Sequence, residues 1–143
     1  MNAAPAPFIV RDGGRLAQSG TTLTRTALIV DDSSSIRAML AFTLQEAGFA
    51  VLQADDGQNA TKVLDGRRLD LVITDLNMPR MDGFALIKHI RALPAYRFVP
   101  ILMLTTVSSE DRKAEGKKTG ATAWLVKPFD PDQLMAVVAK VIR

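Results

Sequence analysis

Short apolar segments alternate with segments of helical periodicity along most of this 143-residue chain. The apolar segments have the length and composition of buried strands, and five are found: Ala27–Val30, Phe49–Ala54, Leu71–Ile73, Pro100–Leu104 and Ala123–Val126. Parallel strands are joined by crossovers of a dozen or more residues, usually a helix. The alternation therefore predicts an α/β fold, a doubly wound parallel sheet of five strands with five helices covering both faces.

Local signals place the helices between these strands. The first has apolar residues at helical spacing from Ile36 to Ala47 and ends before Gly48. The fourth helix is polar, ends near Thr119 and contains Gly116. Glycine stabilises a helix by roughly 1 kcal/mol less than alanine does, so we expect this helix to be the least stable. The other three are predicted around Ala60, Val63 and Leu64, around Phe84, Ile87 and Ile90, and around Leu134, Val137, Val138 and Val141.

The start of the chain has a different composition. Residues 1–25 are rich in Ala, Pro, Gly, Ser and Thr and sustain no period, which predicts a flexible N-terminal extension before a domain of residues 26–143. Within it, Phe8-Ile9-Val10 is a candidate docking segment. The extension lacks the features of a secretory signal, and no apolar run is long enough to span a membrane. We therefore expect a cytoplasmic protein without membrane insertion.

The overall composition excludes several classes of protein. Hydrophobic residues make up 48% of the chain, which excludes a disordered protein. The chain has no cysteine, which excludes disulfides, thiolate catalysis and cysteine metal sites. The net charge is +3, but the basic residues are scattered rather than gathered in a stripe with aromatic residues, so we expect no nucleic-acid partner.

Polar residues follow four of the predicted strands at the point where each strand ends. Asp31 and Asp32 follow the first, Asp75 the third, Thr105 the fourth and Lys127 the fifth. Because parallel strands present their carboxyl ends to one edge of the sheet, where ligands bind in open α/β folds, we expect these side chains to converge. One such residue alone would be read as a turn residue or a helix cap, whereas all of them together predict a site.

The types of residue at this edge indicate the chemistry. Three clustered carboxylates repel one another unless a cation lies between them, and ligands that are all oxygen suit Mg²⁺ or Ca²⁺ better than zinc. The spacing of an EF-hand loop is absent, which favours Mg²⁺. A lysine supplies a point charge for a phosphoryl group, and a threonine hydroxyl can donate to its oxygens. The residues therefore predict Mg²⁺-assisted phosphoryl chemistry with Asp75 as nucleophile.

These residues resemble the motifs of the response-regulator receiver domain, most closely its stand-alone chemotaxis members of the CheY type. The resemblance covers about Thr26 to Arg143, and the motifs that carry it are Asp31-Asp32, Thr74-Asp75-Leu76-Asn77-Met78-Pro79 with Met81-Asp82-Gly83, Leu104-Thr105 and Lys127-Pro128-Phe129. The resemblance implies a flavodoxin-like sheet with the strand order 2-1-3-4-5.

The resemblance also implies a role for each acidic residue. Asp75 would accept a phosphoryl group from the phosphohistidine of a histidine kinase. Asp32 and Asp75 would bind Mg²⁺ directly, together with the backbone carbonyl of Asn77, and Asp31 would act through a bound water. The chain would catalyse only its own phosphorylation and dephosphorylation, so it would not be an enzyme acting on other substrates.

A switch is implied by the same resemblance. Lys127 would pair with the phosphoryl oxygens, and Thr105 would move to bond the phosphoryl group. Trp124 would rotate into the vacated space, although a partly buried structural Trp explains its pattern equally well. Pro128 would follow a cis peptide bond. Val107 and Asn77 occupy positions that flank the attacking water in this family, which predicts an altered phosphate lifetime of unpredicted sign.

The expected function is that of a single-domain response regulator in a two-component system for chemotaxis or motility. Phosphorylation would change the surface of the fourth helix, fifth strand and fifth helix, since no output domain is expected after Arg143. The expected partners are a CheA-like histidine kinase, a phosphatase and a flagellar or pilus motor component. A phosphate shuttle or sink without motor binding is the alternative.

Two other classes of function remain as alternatives. A haloacid-dehalogenase-type phosphatase also uses an Asp nucleophile with Mg²⁺, but it needs a second acid two residues later, where this chain has Asn77. A receiver-like protein that works without phosphate would have little use for the complete set of polar residues. His89 is expected to be an exposed surface residue rather than a relay or metal ligand.

Overall fold

A computed structural model describes residues 24–142. Its elements are β1 (Thr26–Val30), α1 (Ser34–Glu46), β2 (Ala50–Ala54), α2 (Gly57–Thr61), β3 (Leu71–Thr74), α3 (Gly83–Ala92), a 3₁₀ turn (Pro94–Tyr96), β4 (Ile101–Thr105), α4 (Glu110–Thr119), β5 (Ala123–Val126) and α5 (Pro131–Val141). All five strands are parallel, in the order β2-β1-β3-β4-β5. The predicted fold class and the strand order implied by the resemblance are confirmed.

Side-chain caps begin the helices near the predicted positions. The hydroxyl of Ser33 accepts from the Ile36 amide at the start of α1. At the other end of that helix, Gly48 takes the left-handed conformation that favours glycine, with φ of 95°. Asp130 and Gln133 form a reciprocal capping box at the start of α5.

The second helix is shorter than predicted. It ends at Thr61, and the amides of Lys62, Val63 and Leu64 bond carbonyls three residues back rather than four, which is the tighter geometry of a 3₁₀ turn. Leu64 is nevertheless buried, so the apolar pattern correctly located a buried segment but overestimated the length of the helix. The 3₁₀ turn at Pro94–Tyr96 was also not predicted.

The core lies on both faces of the sheet. One cluster includes Leu28, Val72 and Met103 with the buried face of α3, and the other includes Ile29, Ile73 and Leu102 packed against α1 and α5. Alternate residues of the central strands therefore point to opposite faces, and every residue of β3 and β4 is buried, as expected for a sheet covered on both sides. This packing fixes the carboxyl ends of β1, β3 and β4 relative to one another.

The predicted extension of residues 1–25 lies almost wholly outside the described residues, and so does the candidate docking segment Phe8-Ile9-Val10. Between residues 24 and 142, none of the helices has the length and apolar character that crossing a membrane requires.

Candidate functional site

Three carboxylates meet at the carboxyl edge of the sheet. Asp31 directly follows β1 and is 2% exposed, whereas Asp32 is exposed and the side chain of Asp75 is 12% exposed. The Asp75 amide donates to the Val30 carbonyl at 2.9 Å, which ties the end of β3 to that of β1. One ligand atom from each carboxylate lies within 4.8 Å of the other two. The predicted convergence of these residues is therefore what the fold produces.

Lys127 connects two of these carboxylates. Its Nζ lies 2.8 Å from Asp31 Oδ2 and 3.1 Å from Asp75 Oδ2. Burial by itself lowers the pKa of Lys127, but the hydrogen bond to Asp31 and the charges of Asp75 and Asp31 outweigh burial, so the pKa is raised. The ammonium therefore stays charged between the carboxylates at neutral pH. The bond from Lys127 to Pro128 is cis, as the resemblance implied.

The donor set of this site fits Mg²⁺. It consists of the oxygens of Asp31, Asp32 and Asp75, and Mg²⁺ prefers oxygen ligands while keeping several waters. One of the three carboxylates is exposed and another is partly exposed, so waters and a phosphoryl group can approach. The Asp75 oxygen beside Lys127 is placed for attack on an electrophile whose negative oxygens the ammonium would stabilise.

Thr105 is the last residue of β4 rather than the first residue after it, and it is fully buried. Its backbone carbonyl accepts from the Lys127 amide at 2.8 Å, so the two polar residues are held side by side across β4 and β5. The Thr105 hydroxyl accepts a long hydrogen bond of 3.4 Å from the Val107 amide. This bond is weak by its length, so it contributes little to the direction of the hydroxyl.

Trp124 is half-buried and has a defined partner for its polar edge. Its Nε1–H donates to the Val107 carbonyl at 2.9 Å. The indole packs against Phe84, with ring centroids 6.3 Å apart and planes tilted by 44°. A Cβ atom added at Gly116 of α4 would lie only 2.6 Å from Cζ3 of the indole. Gly116, which the sequence marked as a weakness of α4, is thus the residue that leaves room for Trp124.

Two residues near the site were not predicted to matter. The carboxylate of Asp56, at the start of α2, is 1% exposed and is bonded by the guanidinium of Arg80, which lies in the β3–α3 loop. An aspartate before a glycine is a common turn residue, which gives no sign of a partner, whereas a buried carboxylate needs a cation nearby. Because the partner is 24 residues away, no spacing rule could have identified it.

The remaining predicted residues are placed as follows. Asn77 is exposed in the β3–α3 loop, and Val107 is partly buried after β4. His89 is exposed on α3, as predicted. The structure therefore brings Asp31, Asp32, Asp75 and Lys127 into one site, with Thr105 bonded to Lys127 through the backbone.

Comparisons with known proteins agree with this geometry. A family model described as the response regulator receiver domain matches residues 27–139. The Vibrio cholerae chemotaxis protein CheY4 is 48% identical, with a TM-score of 0.80, over 83% of this chain and 99% of that one. The signal receiver domain of a signal transduction histidine kinase from Syntrophus aciditrophicus is 30% identical, with a TM-score of 0.75, over 82% of this chain and 89% of that one.

Curated relatives include longer proteins. The phosphate regulon transcriptional regulatory protein PhoB of Pseudomonas aeruginosa is 37% identical over 119 residues, which are 83% of this chain and 52% of that protein. PhoB of Escherichia coli strain K12 is 34% identical over 121 residues, which are 85% of this chain and 53% of that protein. The chain therefore spans about half the length of these curated relatives. The match to the family model over residues 27–139 shows that this chain belongs to the response regulator receiver domain family.

Proposed function

We propose that Asp75 is the phosphoacceptor of this receiver domain. An Asp75 oxygen would attack the phosphorus of a phosphohistidine on a histidine kinase, the bond from nitrogen to phosphorus would break, and the imidazole would leave with that electron pair. The product would be an aspartyl phosphate on Asp75. The observation that carries this proposal is the position of the Lys127 ammonium, whose Nζ lies 2.8 Å from Asp31 and 3.1 Å from Asp75.

Receiver domains bind Mg²⁺ through acidic residues, and Asp31, Asp32 and Asp75 offer the oxygens for it. We assign direct ligation to Asp32, Asp75 and the Asn77 backbone carbonyl, and water-mediated contact to Asp31. A bound Mg²⁺ would neutralise charge on the phosphoryl oxygens during transfer.

Lys127 and Thr105 would recognise the transferred group. The Lys127 ammonium, positively charged beside Asp75, would exchange its contact with that carboxylate for the phosphoryl oxygens. The Thr105 hydroxyl has only a long hydrogen bond to give up, so it could turn to donate to the same group. The space behind Thr105 would then change, and Trp124 is the neighbouring aromatic residue through which α4 would respond.

Receiver domains interact with histidine kinases and with downstream targets. We propose that the output here is a protein–protein contact through the surface of α4, β5 and α5, in a chemotaxis or motility system. The support is the likeness to a chemotaxis protein that this chain covers almost completely, at 48% identity. The relatives that regulate transcription are less similar, and this chain covers only about half of each.

The proposal is tested by incubating the protein with Mg²⁺ and acetyl phosphate and measuring its intact mass. We expect a labile adduct of one phosphoryl group on the wild type, none on Asp75→Asn, and none when Mg²⁺ is removed. Asp82→Asn is the matched control, because Asp82 is an exposed carboxylate of the same loop that caps α3. This variant should still be phosphorylated.

The same sample tests the output surface. With beryllofluoride as a phosphoryl mimic, backbone amide shifts measured by NMR should change in α4 and β5 as well as at Asp75. Absence of an adduct with every donor, together with no shift on addition of beryllofluoride, would rule out the phosphoacceptor role. Shifts confined to the acidic site would leave that role intact and exclude α4, β5 and α5 as the responsive surface.

A further inference from the structure

The β3–α3 loop contains a backbone conformation that side chains rarely adopt. Arg80 has a φ of 68°, and it is the one non-glycine residue with positive φ between residues 24 and 142. Such a conformation is uncommon outside Gly, Asn and Asp, and it persists only where the surroundings determine it. The loop begins at Asp75, so this unusual conformation lies close to the acidic site in sequence.

The surroundings of Arg80 supply that determination. Its Nε donates to Asp56 Oδ2 at 2.9 Å, and its Nη2 approaches the same oxygen. The other Asp56 oxygen accepts from the Asn59 amide at 2.7 Å and so caps α2. Hydrogen bonding from the Asn59 amide and then from Arg80 lowers the pKa of Asp56. The carboxylate is therefore charged at neutral pH, buried, and paired with the guanidinium.

Close packing joins the same two segments. A Cβ atom added at Gly57, the residue after Asp56, would lie 2.8 Å from the Cβ, the Cγ and the backbone oxygen of Met81. The Met81 amide donates back to the Pro79 carbonyl at 2.7 Å. The loop is thus in close contact with the start of α2 at Met81, the residue after Arg80, and there is no room for a larger residue at Gly57.

The start of α3 fixes the other end of the loop. The Gly83 amide donates to the Leu76 carbonyl at 2.8 Å, and a Cβ atom at Gly83 would clash with the Asp75 carbonyl oxygen. The exposed residue Asn77 lies between Leu76, which the Gly83 amide holds, and Arg80, which follows three positions later. The path of the main chain at Asn77 therefore depends on both anchors, one at Gly83 and the other at Arg80.

From this arrangement we propose that Arg80 is a positioning residue for the metal site. Its ion pair with Asp56 anchors the β3–α3 loop to α2 and so holds the Asn77 backbone carbonyl where Mg²⁺ needs it. The inference rests on the proposed function, since it assumes that Asn77 contributes a ligand. The ion pair acts from outside the coordination sphere, as partners that orient metal ligands commonly do, and their loss typically weakens metal binding by 10- to 100-fold.

The test is a titration of the full chain with Mg²⁺, in which NMR monitors the backbone amide shifts of residues 75–83. These shifts report Mg²⁺ binding in the absence of phosphorylation. Arg80→Ala removes the ion pair and keeps the strained backbone, whereas Arg80→Gly removes both, because glycine adopts positive φ without strain. We expect the dissociation constant for Mg²⁺ to rise roughly tenfold in both variants. At saturating Mg²⁺, the rate of phosphorylation by acetyl phosphate should return to that of the wild type.

Arg67→Ala is the matched control. Arg67 also forms an arginine–aspartate pair, with Asp65 at 2.8 Å, but both partners are exposed and lie outside the β3–α3 loop. The affinity of the Arg67→Ala variant for Mg²⁺ should equal that of the wild type. If both Arg80 variants melt at lower temperature but bind Mg²⁺ like the wild type, Arg80 is merely structural and the inference is wrong. If the wild type itself binds no Mg²⁺, both the proposed function and the inference about Arg80 are wrong.

Discussion

Helices α3 and α4 are neighbours of equal length that are held in the fold by different means. Within Gly83–Ala92, the buried residues include Phe84, Leu86, Ile87 and Ile90, whereas within Glu110–Thr119 the one buried residue is Gly116. Most of the stabilisation of α3 therefore comes from apolar surface removed from water. Helix α4 has almost no such surface to remove.

The stabilisation of α4 comes instead from polar contacts that are individually small. Acidic residues occupy its first turn and basic residues its last, which complements the helix dipole. Its two internal ion pairs, Arg112 with Glu115 and Lys113 with Glu110, each include an exposed carboxylate, and surface pairs of this kind contribute little. The Arg112 guanidinium also lies 4.9 Å from the centre of the Phe84 ring, which is a contact with α3 itself.

The end of α4 is attached to α3 by one side chain. Arg91, in the last turn of α3, donates through Nε and Nη2 to the Gly120 carbonyl, at 3.1 and 2.8 Å. Its Nη1 donates to carbonyls before β4, the shortest being to Val99 at 2.6 Å. Helix α3 is therefore fixed by its whole buried face, whereas the position of α4 depends on a few separate contacts. An element of that kind can shift at low free-energy cost.

The largest expected effect is on α3. Ile87→Ala removes a side chain that is 0% exposed, and truncations of this kind lower the free energy of unfolding by about 2–5 kcal/mol. Urea denaturation measures it. Lys88→Ala and Lys118→Ala, at exposed positions of α3 and α4, should each change it by less than about 0.5 kcal/mol. If Ile87→Ala lowers the free energy of unfolding no more than these two variants do, the buried face of α3 does not stabilise it in the way proposed.

An intermediate effect is expected at the attachment between the helices. Arg91→Ala removes the charged hydrogen bonds to Gly120 and Val99, and bonds to charged groups contribute roughly 1.5–3 kcal/mol. The free energy of unfolding should fall by about that amount, and amide hydrogen exchange should accelerate in the last turn of α4 more than in α3. Arg97→Ala, an exposed arginine nearby, is the control. Equal acceleration in both helices would show that Arg91 does not fix α4 specifically.

The smallest net effect is expected at Gly116, where two terms oppose each other. Alanine is favoured over glycine in a helix by roughly 1 kcal/mol, but the added Cβ would lie 2.6 Å from the Trp124 ring. Overpacking costs about 1–3 kcal/mol, so Gly116→Ala should lower the free energy of unfolding slightly. It should also change the fluorescence of Trp124, the only Trp in the chain.

A double-mutant cycle separates these two terms at Gly116. In a Trp124→Phe background, the smaller ring should relieve the clash, so that Gly116→Ala becomes less destabilising or even stabilising. If Gly116→Ala stabilises the wild type by the full propensity difference and leaves the Trp124 emission unchanged, then α4 and Trp124 are not packed as the structure shows.

Much of the fold and most of the acidic site could be predicted because their signals are local. The apolar runs and the helical spacing of apolar residues placed the strands and helices, and one rule of parallel sheets brought Asp31, Asp75 and Lys127 to the same edge. The length of α2 was overestimated because the buried Leu64 and the partly buried Val63 lie in a tighter turn that has the same apolar pattern. A pattern of burial does not distinguish the last turn of an α-helix from a 3₁₀ turn.

The sequence by itself determined which residues follow the strands, and therefore the chemistry of the site. The tertiary structure alone decided which distant residues support it: Arg80 with Asp56, Gly116 with Trp124, and Arg91 with the Gly120 carbonyl. Each of these contacts joins elements that are adjacent in space but separated along the chain. Their existence depends on the direction of a side chain and on the distance between packed elements, which no local periodicity encodes.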